Sequence, residues 1–218
     1  MRKSNVAVCL LLIALACAAA LYYWPQLPLR VPTHWNIDGQ PDAWGAPIAL
    51  LLLGPGAMTL ALLMGFVLPW LSPRGFDVKR FEPAFNYIVT LIVGLFGYIY
   101  AIQLAASLNA ALSFGSMLMG GVCLLLVLLG NQMGKVRRNF YIGIRTPWTL
   151  ASERVWEATH RLSAKLMVAS GLLGLLAIWT GAGHAVVVAL SMGWAVVAVP
   201  YSLLYYKRLE KTHQLESN

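Results

Sequence analysis

The chain has 218 residues, of which 59% are hydrophobic and only 11% are charged, and its formal net charge is +8. Soluble globular proteins are about one-quarter charged, so this composition excludes an ordinary soluble domain. A core formed by a chain of this size cannot enclose so much apolar side chain, which makes lipid the expected solvent.

Charged residues are absent from long stretches, and these stretches predict the membrane-spanning helices. A helix needs about 20 apolar residues to cross the hydrocarbon core of a bilayer. We expect an all-α membrane protein with six transmembrane helices, at residues 5–24, 46–70, 84–106, 110–130, 166–181 and 184–206. The stretch between Glu82 and Lys135 has room for two spans, with a tight turn expected at 107–109.

The first span also fits a cleaved signal peptide, because Arg2 and Lys3 precede an apolar run that contains the small residues Ala14 and Ala16. The apolar run nevertheless continues into aromatic residues that end at Trp24. Aromatic residues are typical of the membrane interface, so the pattern favours a span that is retained.

The basic residues predict the orientation of the chain. With six alternating spans, 15 of the 16 Lys and Arg fall on one side of the membrane, and only Arg30 falls on the other. Lys and Arg near helix ends stay on the cytoplasmic side. We therefore expect a multi-pass membrane protein with both termini in the cytoplasm.

The outer segment 25–45 connects the first two spans and contains four prolines and two tryptophans. Proline disfavours a helix interior, so we expect an ordered, non-helical cap. His34, Asp38 and Asp42 are residue types that bind metals. Gly39 and Pro41 disfavour a regular helical array of these residues, and hydrogen bonds within a turn account for the two aspartates. We predict no metal site and no cofactor.

The inner segment 131–165 changes character at Pro147. The residues up to Trp148 are expected to be extended or turning, whereas Thr149 or Ser152 can cap an amphipathic helix. We expect this helix to lie on the inner membrane surface and to turn there into the fifth span.

Two groups of residues in these segments resemble the signature regions of the SdpI/YfhL family of bacterial membrane proteins. The outer group is the run PTHWNIDGQPD at 32–42, and the inner group combines Asn131, Asn139, the octamer GIRTPWTL at 143–150, Trp156 and His160. The resemblance implies a six-helix inner-membrane protein related to an immunity factor. Such a factor protects its producer from a secreted peptide toxin and relays the presence of the toxin to a cytosolic repressor.

The residues expected to bind a partner or ligand lie within these two groups. In the inner segment they are Asn131, Asn139, Gly143, Arg145, Thr146, Pro147, Trp148, Trp156 and His160, and in the outer segment they are Pro32, His34, Trp35, Gly39 and Asp42. Simpler roles are also open. Arg145 fits either a clamp for an anion or an anchor at the inner surface. The two inner tryptophans fit interfacial anchors, the histidine fits a packed side chain, and the asparagines fit bonds to loop backbone.

Enzymatic motifs are absent from the sequence, so we predict no catalytic residues. No predicted span contains a charged residue, which argues against an ion relay or a proton-coupled pump. The basic residues are spread along the inner surface, where anionic lipid headgroups are nearer partners than nucleic acid. The expected partners are therefore the lipid bilayer, a secreted peptide toxin and a cytosolic regulator.

A division after Asn109 gives two halves, residues 1–109 and 110–218, with similar order. Each half consists of a span, a long loop with Pro and Trp, a second span, a short link and a third span. Because the first half starts inside and the second outside, the halves fit two inverted three-helix repeats, a common plan among transporters. A small transporter or lipid-handling protein is therefore the alternative function.

Overall fold

The computed structural model describes residues 1–109 and 112–215. In these ranges, six helical segments are long and apolar enough to cross a membrane, which confirms the all-α membrane fold with six spans. The helices are α1 (Lys3–Tyr23), α2 (Ile48–Trp70), α3 (Glu82–Leu108), α4 (Phe114–Met133), a short α5 (Pro147–Ala151), α6 (Glu153–Trp179) and α7 (His184–Lys211). Two short 3₁₀ turns, Trp24–Gln26 and Val78–Phe81, follow α1 and precede α3.

The spans form two groups of three. The helices α1, α2 and α3 pack on one another, as do α4, α6 and α7, and the two groups meet mainly between α3 and α4. We call the end that carries both termini the basic end and the opposite end the hairpin end. The inverted relation between the two halves remains a prediction.

A buried cluster at the basic end joins the two halves. Phe81 and Phe85, near the start of α3, belong to the same apolar cluster as Met133 of α4 and Trp156 of α6. A second cluster joins α1, α2 and α3, and includes Cys9, Met58 and other buried side chains. Many leucines on the outer faces of the helices are exposed, as expected for a surface that contacts lipid.

The amphipathic segment and the fifth span form one continuous helix, so the predicted turn between a surface helix and the span is wrong. Ser152 caps the start of α6, where its side chain accepts a hydrogen bond from the Val155 N–H at 3.4 Å. The buried face of this segment includes Trp156 and His160 and continues without interruption into the bundle. Because this face is buried in the protein, it cannot lie on the lipid surface. The segment therefore continues directly into the fifth span.

The end of the third span also differs from the sequence prediction. Helix α3 continues through Ser107 and Leu108, and the Ser107 hydroxyl donates to the Gln103 carbonyl one turn earlier, at 2.8 Å. The link to α4 therefore falls later than the predicted turn at 107–109, and the predicted start of the fourth span at 110 lies outside the described residues. Helix α2 contains a π turn, Leu52–Gly56, around Pro55.

Residues 31–45 of the outer segment fold as a β-hairpin, which the sequence prediction of a non-helical cap did not specify. Strand β1 (Val31–Trp35) pairs antiparallel with β2 (Pro41–Gly45). The Asn36 side chain closes the turn by accepting hydrogen bonds from the N–H groups of Asp38 and Gln40, at 3.0 and 2.9 Å. Gly39 has a φ of +76°, a conformation that other residues rarely adopt.

Candidate functional site

Asn139 organises the loop that precedes α5. Its side chain is buried and makes four hydrogen bonds to the backbone. The amide nitrogen donates to the carbonyls of Arg137 and Ile142, at 2.8 and 3.1 Å, and the amide oxygen accepts from the N–H groups of Tyr141 and Ile142, at 2.7 and 2.8 Å. An asparagine side chain offers both donors and acceptors, which explains this residue type at the centre of the loop.

His160 connects the loop to α6. Its Nδ1 lies 2.7 Å from the carbonyl oxygen of Trp156, and its Nε2 lies 3.0 Å from the backbone nitrogen of Ile144. A carbonyl only accepts and an N–H only donates, so the two contacts require a neutral ring with its proton on Nδ1. His160 is 1% exposed, and both of its ring nitrogens make hydrogen bonds within the protein.

Gly143 and Trp156 enclose this histidine from two sides. Gly143 has a φ of +115°, and a Cβ atom there would lie 2.2 Å from His160 Nε2. The Trp156 ring stacks on the imidazole with centroids 4.0 Å apart, and its Nε1 donates to the Val136 carbonyl at 2.8 Å. Of the predicted inner residues, Asn139, Trp156 and His160 thus form the buried support of the loop, and the half-buried Gly143 packs against His160.

The remaining residues of the octamer form the short helix α5 and its approach. Thr146 caps α5 through reciprocal hydrogen bonds with Thr149, and Pro147 occupies the first helical position, where its missing N–H is tolerated. Trp148 Nε1 donates to the Ser202 hydroxyl of α7 at 2.7 Å, which holds α5 against the last span. Residues 147–148 are therefore helical, not extended.

Arg145 is the exposed cation of this segment. It donates a hydrogen bond to the Phe140 carbonyl, which draws the guanidinium across the loop but leaves the side chain open to solvent. Pro147 is exposed beside it. Asn131 lies in the last turn of α4 and is exposed, so the sequence prediction that it belongs to the inner loop is wrong.

Further contacts attach the loop to the rest of the basic end. Arg80, before α3, donates to the Glu153 carboxylate at 2.9 Å, and Arg137 pairs with Glu157. Arg138 donates to the Leu150 carbonyl at 3.0 Å, and its guanidinium lies 5.0 Å from the centroid of the Phe76 ring. The sequence analysis did not predict these ion pairs and hydrogen bonds, because their partners lie up to 73 positions apart and form no local pattern.

The C-terminal segment also contacts this site. The Ser152 hydroxyl donates to the carbonyl of Leu215 at 2.7 Å, and Arg154 donates to the carbonyl of Gln214 at 3.0 Å. Gln214 and Leu215, which follow the last span, thus lie against the beginning of α6.

At the hairpin end, the predicted residues separate into two groups. His34 and Asp42 face each other across the strands with Nδ1 and Oδ1 2.5 Å apart, and both side chains are exposed. In the part of the chain that the structure describes, no three His, Cys, Asp or Glu side chains come together as a metal site. The backbone N–H of Asp38 instead takes part in the turn described above.

Pro32, Trp35 and Gly39 attach the hairpin to the bundle. The Pro32 carbonyl accepts a hydrogen bond from the buried Gln103 side chain of α3, at 3.1 Å. Trp35 stacks on Phe114 of α4, with centroids 3.6 Å apart and planes inclined by 14°. A Cβ atom at Gly39 would lie 3.1 Å from Gly115 Cα and 3.2 Å from His184 Cε1. The first half therefore contacts the second half through this hairpin.

A cavity of about 290 Å³ lies between the hairpin and the ends of α3, α4 and α7. Tryptophans and prolines of the hairpin form one wall, and serines of the bundle form another. His184 lies at its edge, with Nε2 3.1 Å from the Ser116 hydroxyl. Neither Ser116 nor Gln103 was predicted as a site residue, since single polar residues near span ends carry no distinctive sequence signal.

Comparisons with known proteins find similarity in both halves. The family model described as the SdpI/YfhL protein family matches residues 135–204, and a model described as a domain of unknown function, DUF1648, matches residues 11–59. The immunity protein SdpI of Bacillus subtilis (strain 168) is 25% identical over 209 residues, which cover 95% of this chain and 98% of that protein. No solved structure matches the chain.

Proposed function

We propose that this chain, which belongs to the SdpI/YfhL protein family, is an immunity protein that protects its bacterial host from a secreted, membrane-active peptide. The observation that carries the proposal is the similarity to an immunity protein over 95% of the chain. The matched family models include the hairpin, within residues 11–59, and the loop at the basic end, within residues 135–204. The side chains of Asn139 and His160 are hydrogen-bonded to backbone atoms and hold the loop in place. We therefore favour a role in binding over one in catalysis.

The proposed orientation places the hairpin where a secreted peptide arrives. The 15 basic residues of the other end favour the cytoplasmic side of the plasma membrane for both termini. The hairpin then covers the outer ends of the bundle and presents Ile37 and Trp44 with about half of their surface exposed. Exposed apolar and aromatic side chains of this kind suit contact with an amphipathic peptide.

Complementation tests the immunity function. A Bacillus subtilis strain that lacks its own SdpI is given this chain and is then exposed to culture fluid from the parent strain. We expect survival close to that with SdpI itself, and killing with an empty vector. Membrane fractionation verifies that the chain is inserted. Killing of cells that contain inserted protein would contradict the proposal.

Transmission of the signal to a cytosolic regulator is the second part of the proposal, and Arg145 is its expected contact. A planar guanidinium can bind a carboxylate through two parallel hydrogen bonds, which a lysine cannot reproduce. The Arg145 side chain is exposed beside a loop whose position is determined by Asn139 and His160.

Replacement by lysine separates this contact from a simple anchor. We expect Arg145→Lys to weaken recruitment of the regulator, or protection, by about 1.5–3 kcal/mol, the usual range for a charge-assisted hydrogen bond. Arg74→Lys is the matched control, because Arg74 is also exposed at the basic end. Recruitment is measured by co-purification from membranes. If Arg145→Lys recruits and protects as well as Arg74→Lys, Arg145 is only an anchor.

A further inference from the structure

The cavity under the hairpin has the size of a subsite. Its volume of about 290 Å³ is at the lower limit of the range for small-molecule pockets, so it accommodates one or two residues of a peptide and not a whole ligand. It lies at a junction, because the hairpin belongs to the first half whereas Gly115, Ser116 and His184 belong to the second. A group bound there contacts both halves of the protein.

The charge around the cavity is negative, in contrast to that of the opposite end. In the hairpin segment, Arg30 is the one basic residue and Asp38 and Asp42 are the acidic ones, which gives a formal charge of −1. Two of these charges have partners on the hairpin. Arg30 donates to the Trp44 carbonyl at 3.0 Å, and Asp42 is paired with His34.

Asp38 is the only Asp, Glu, Lys or Arg among the described residues that line the cavity. Its backbone N–H is used in the turn, and the exposed residue is part of the cavity lining. The lining also includes serine hydroxyls and the Gln40 amide, whose oxygens can accept hydrogen bonds from a donor group, together with the His184 imidazole and the indole groups of two tryptophans. Trp44 lies on the same wall and is 47% exposed, and an indole face attracts cations.

We propose that this cavity binds a protonated amino group of a peptide, either an N-terminal amine or a lysine side chain, with Asp38 as the counter-ion. The inference rests on the proposed function, since it names the chemical group of the secreted peptide that the hairpin end recognises. An ammonium group matches the cavity because it has only donors, whereas the wall offers a carboxylate and further acceptors. The basic end of the protein, by contrast, repels such a group.

Binding is tested on the purified full-length protein in nanodiscs of neutral phosphatidylcholine, by isothermal titration calorimetry at low salt and pH 6.5. Three probes are compared: the tripeptide amide Gly-Leu-Leu with a free amine, its N-acetylated form, and N-acetylated Lys-Leu-Leu amide. An N-terminal amine is protonated at this pH, because its pKa is about 8. The first and third probes distinguish the two sources of the amino group, and empty nanodiscs correct for partition into lipid.

With the unaltered protein, we expect at least one probe with an amino group to bind about tenfold more tightly than the uncharged probe. Asp38→Asn should remove this preference. Asp42→Asn is the matched control, because it removes the same charge from the same hairpin at a residue that does not line the cavity. Circular dichroism and thermal unfolding verify that both variants are folded.

Equal binding of charged and uncharged probes to the unaltered protein would overturn the proposal. An equal loss of preference in Asp38→Asn and Asp42→Asn would also overturn it, because the attraction would then be a general effect of hairpin charge. These measurements do not depend on cell survival. Failure of this inference therefore leaves the complementation result intact, and failure of complementation leaves the binding result intact.

Discussion

Replacement of Gly143 by alanine is the sharpest test of how the loop at the basic end is held. A positive φ costs a residue with a Cβ atom about 1–2 kcal/mol. At Gly143, the added Cβ would also lie 2.2 Å from His160 Nε2, so the imidazole has to move. Movement breaks the bond from the Ile144 N–H to the buried imidazole, and the loss of this part-buried bond costs about 1–3 kcal/mol. We therefore expect Gly143→Ala to lower the free energy of unfolding by about 2–5 kcal/mol, the sum of these two costs.

Gly75→Ala is the matched control. Gly75 has a φ of +86° and lies at the same end of the protein, but no atom lies within 4 Å of the position of its Cβ. Only the backbone cost of about 1–2 kcal/mol is expected. For a chain of this size, each kcal/mol lowers Tm by roughly 2–4 °C. Thermal unfolding in one detergent, followed by tryptophan fluorescence, should therefore place Gly143→Ala well below Gly75→Ala.

The contact with His160 can be isolated further. If the clash is the cause, the double variant Gly143→Ala with His160→Ala should be more stable than the sum of the two single changes predicts, by about 1 kcal/mol or more. Equal Tm values for Gly143→Ala and Gly75→Ala would refute the reasoning. Strict additivity of Gly143→Ala and His160→Ala would refute it as well.

The other predictions concern the loop, its attachment and the topology. Asn139→Ala removes four backbone hydrogen bonds and should lower stability by about 3–4 kcal/mol, whereas Asn131→Ala at an exposed position should change it by less than about 0.5 kcal/mol; comparable Tm values would contradict the assigned role. Trp148→Phe and Ser202→Ala should each cost about 1 kcal/mol, and the double variant should cost no more than either one, as measured in a double-mutant cycle. Reporter fusions at residue 40 should be active outside the cell and those at 77, 150 and 215 inside, and a cytoplasmic signal from residue 40 would refute the proposed orientation.

The six spans could be predicted because each is a local property of the sequence. A long stretch without charged residues predicts a membrane-spanning helix whatever residues surround it. The stretch between Glu82 and Lys135 was therefore correctly divided into two helices. The boundaries were less accurate, because caps and side-chain bonds such as that of Ser107 extend or end helices at individual residues.

The hairpin and the course of α6 depend on tertiary contacts and were therefore not predicted. Prolines indicated only that segment 25–45 is not helical, whereas its strands are held by the Asn36 turn and by Gln103 from a distant helix. The segment before the fifth span has an amphipathic pattern that suits either lipid or protein. Only the packing of Trp156 in the common core decides between them.

The hairpin couples the free energy of ligand binding to the contact between the two halves. It is continuous with α1 and α2, yet Trp35 and Gly39 rest on helices of the second half. A ligand that contacts both the hairpin and the second half binds only while these two parts are in contact. Its binding free energy is therefore added to the free energy needed to separate the halves. The same two halves share one apolar cluster at the basic end, which includes Phe85 of the first half and Met133 of the second. Occupancy of the hairpin end would thus also raise the free energy needed to separate the halves at the basic end.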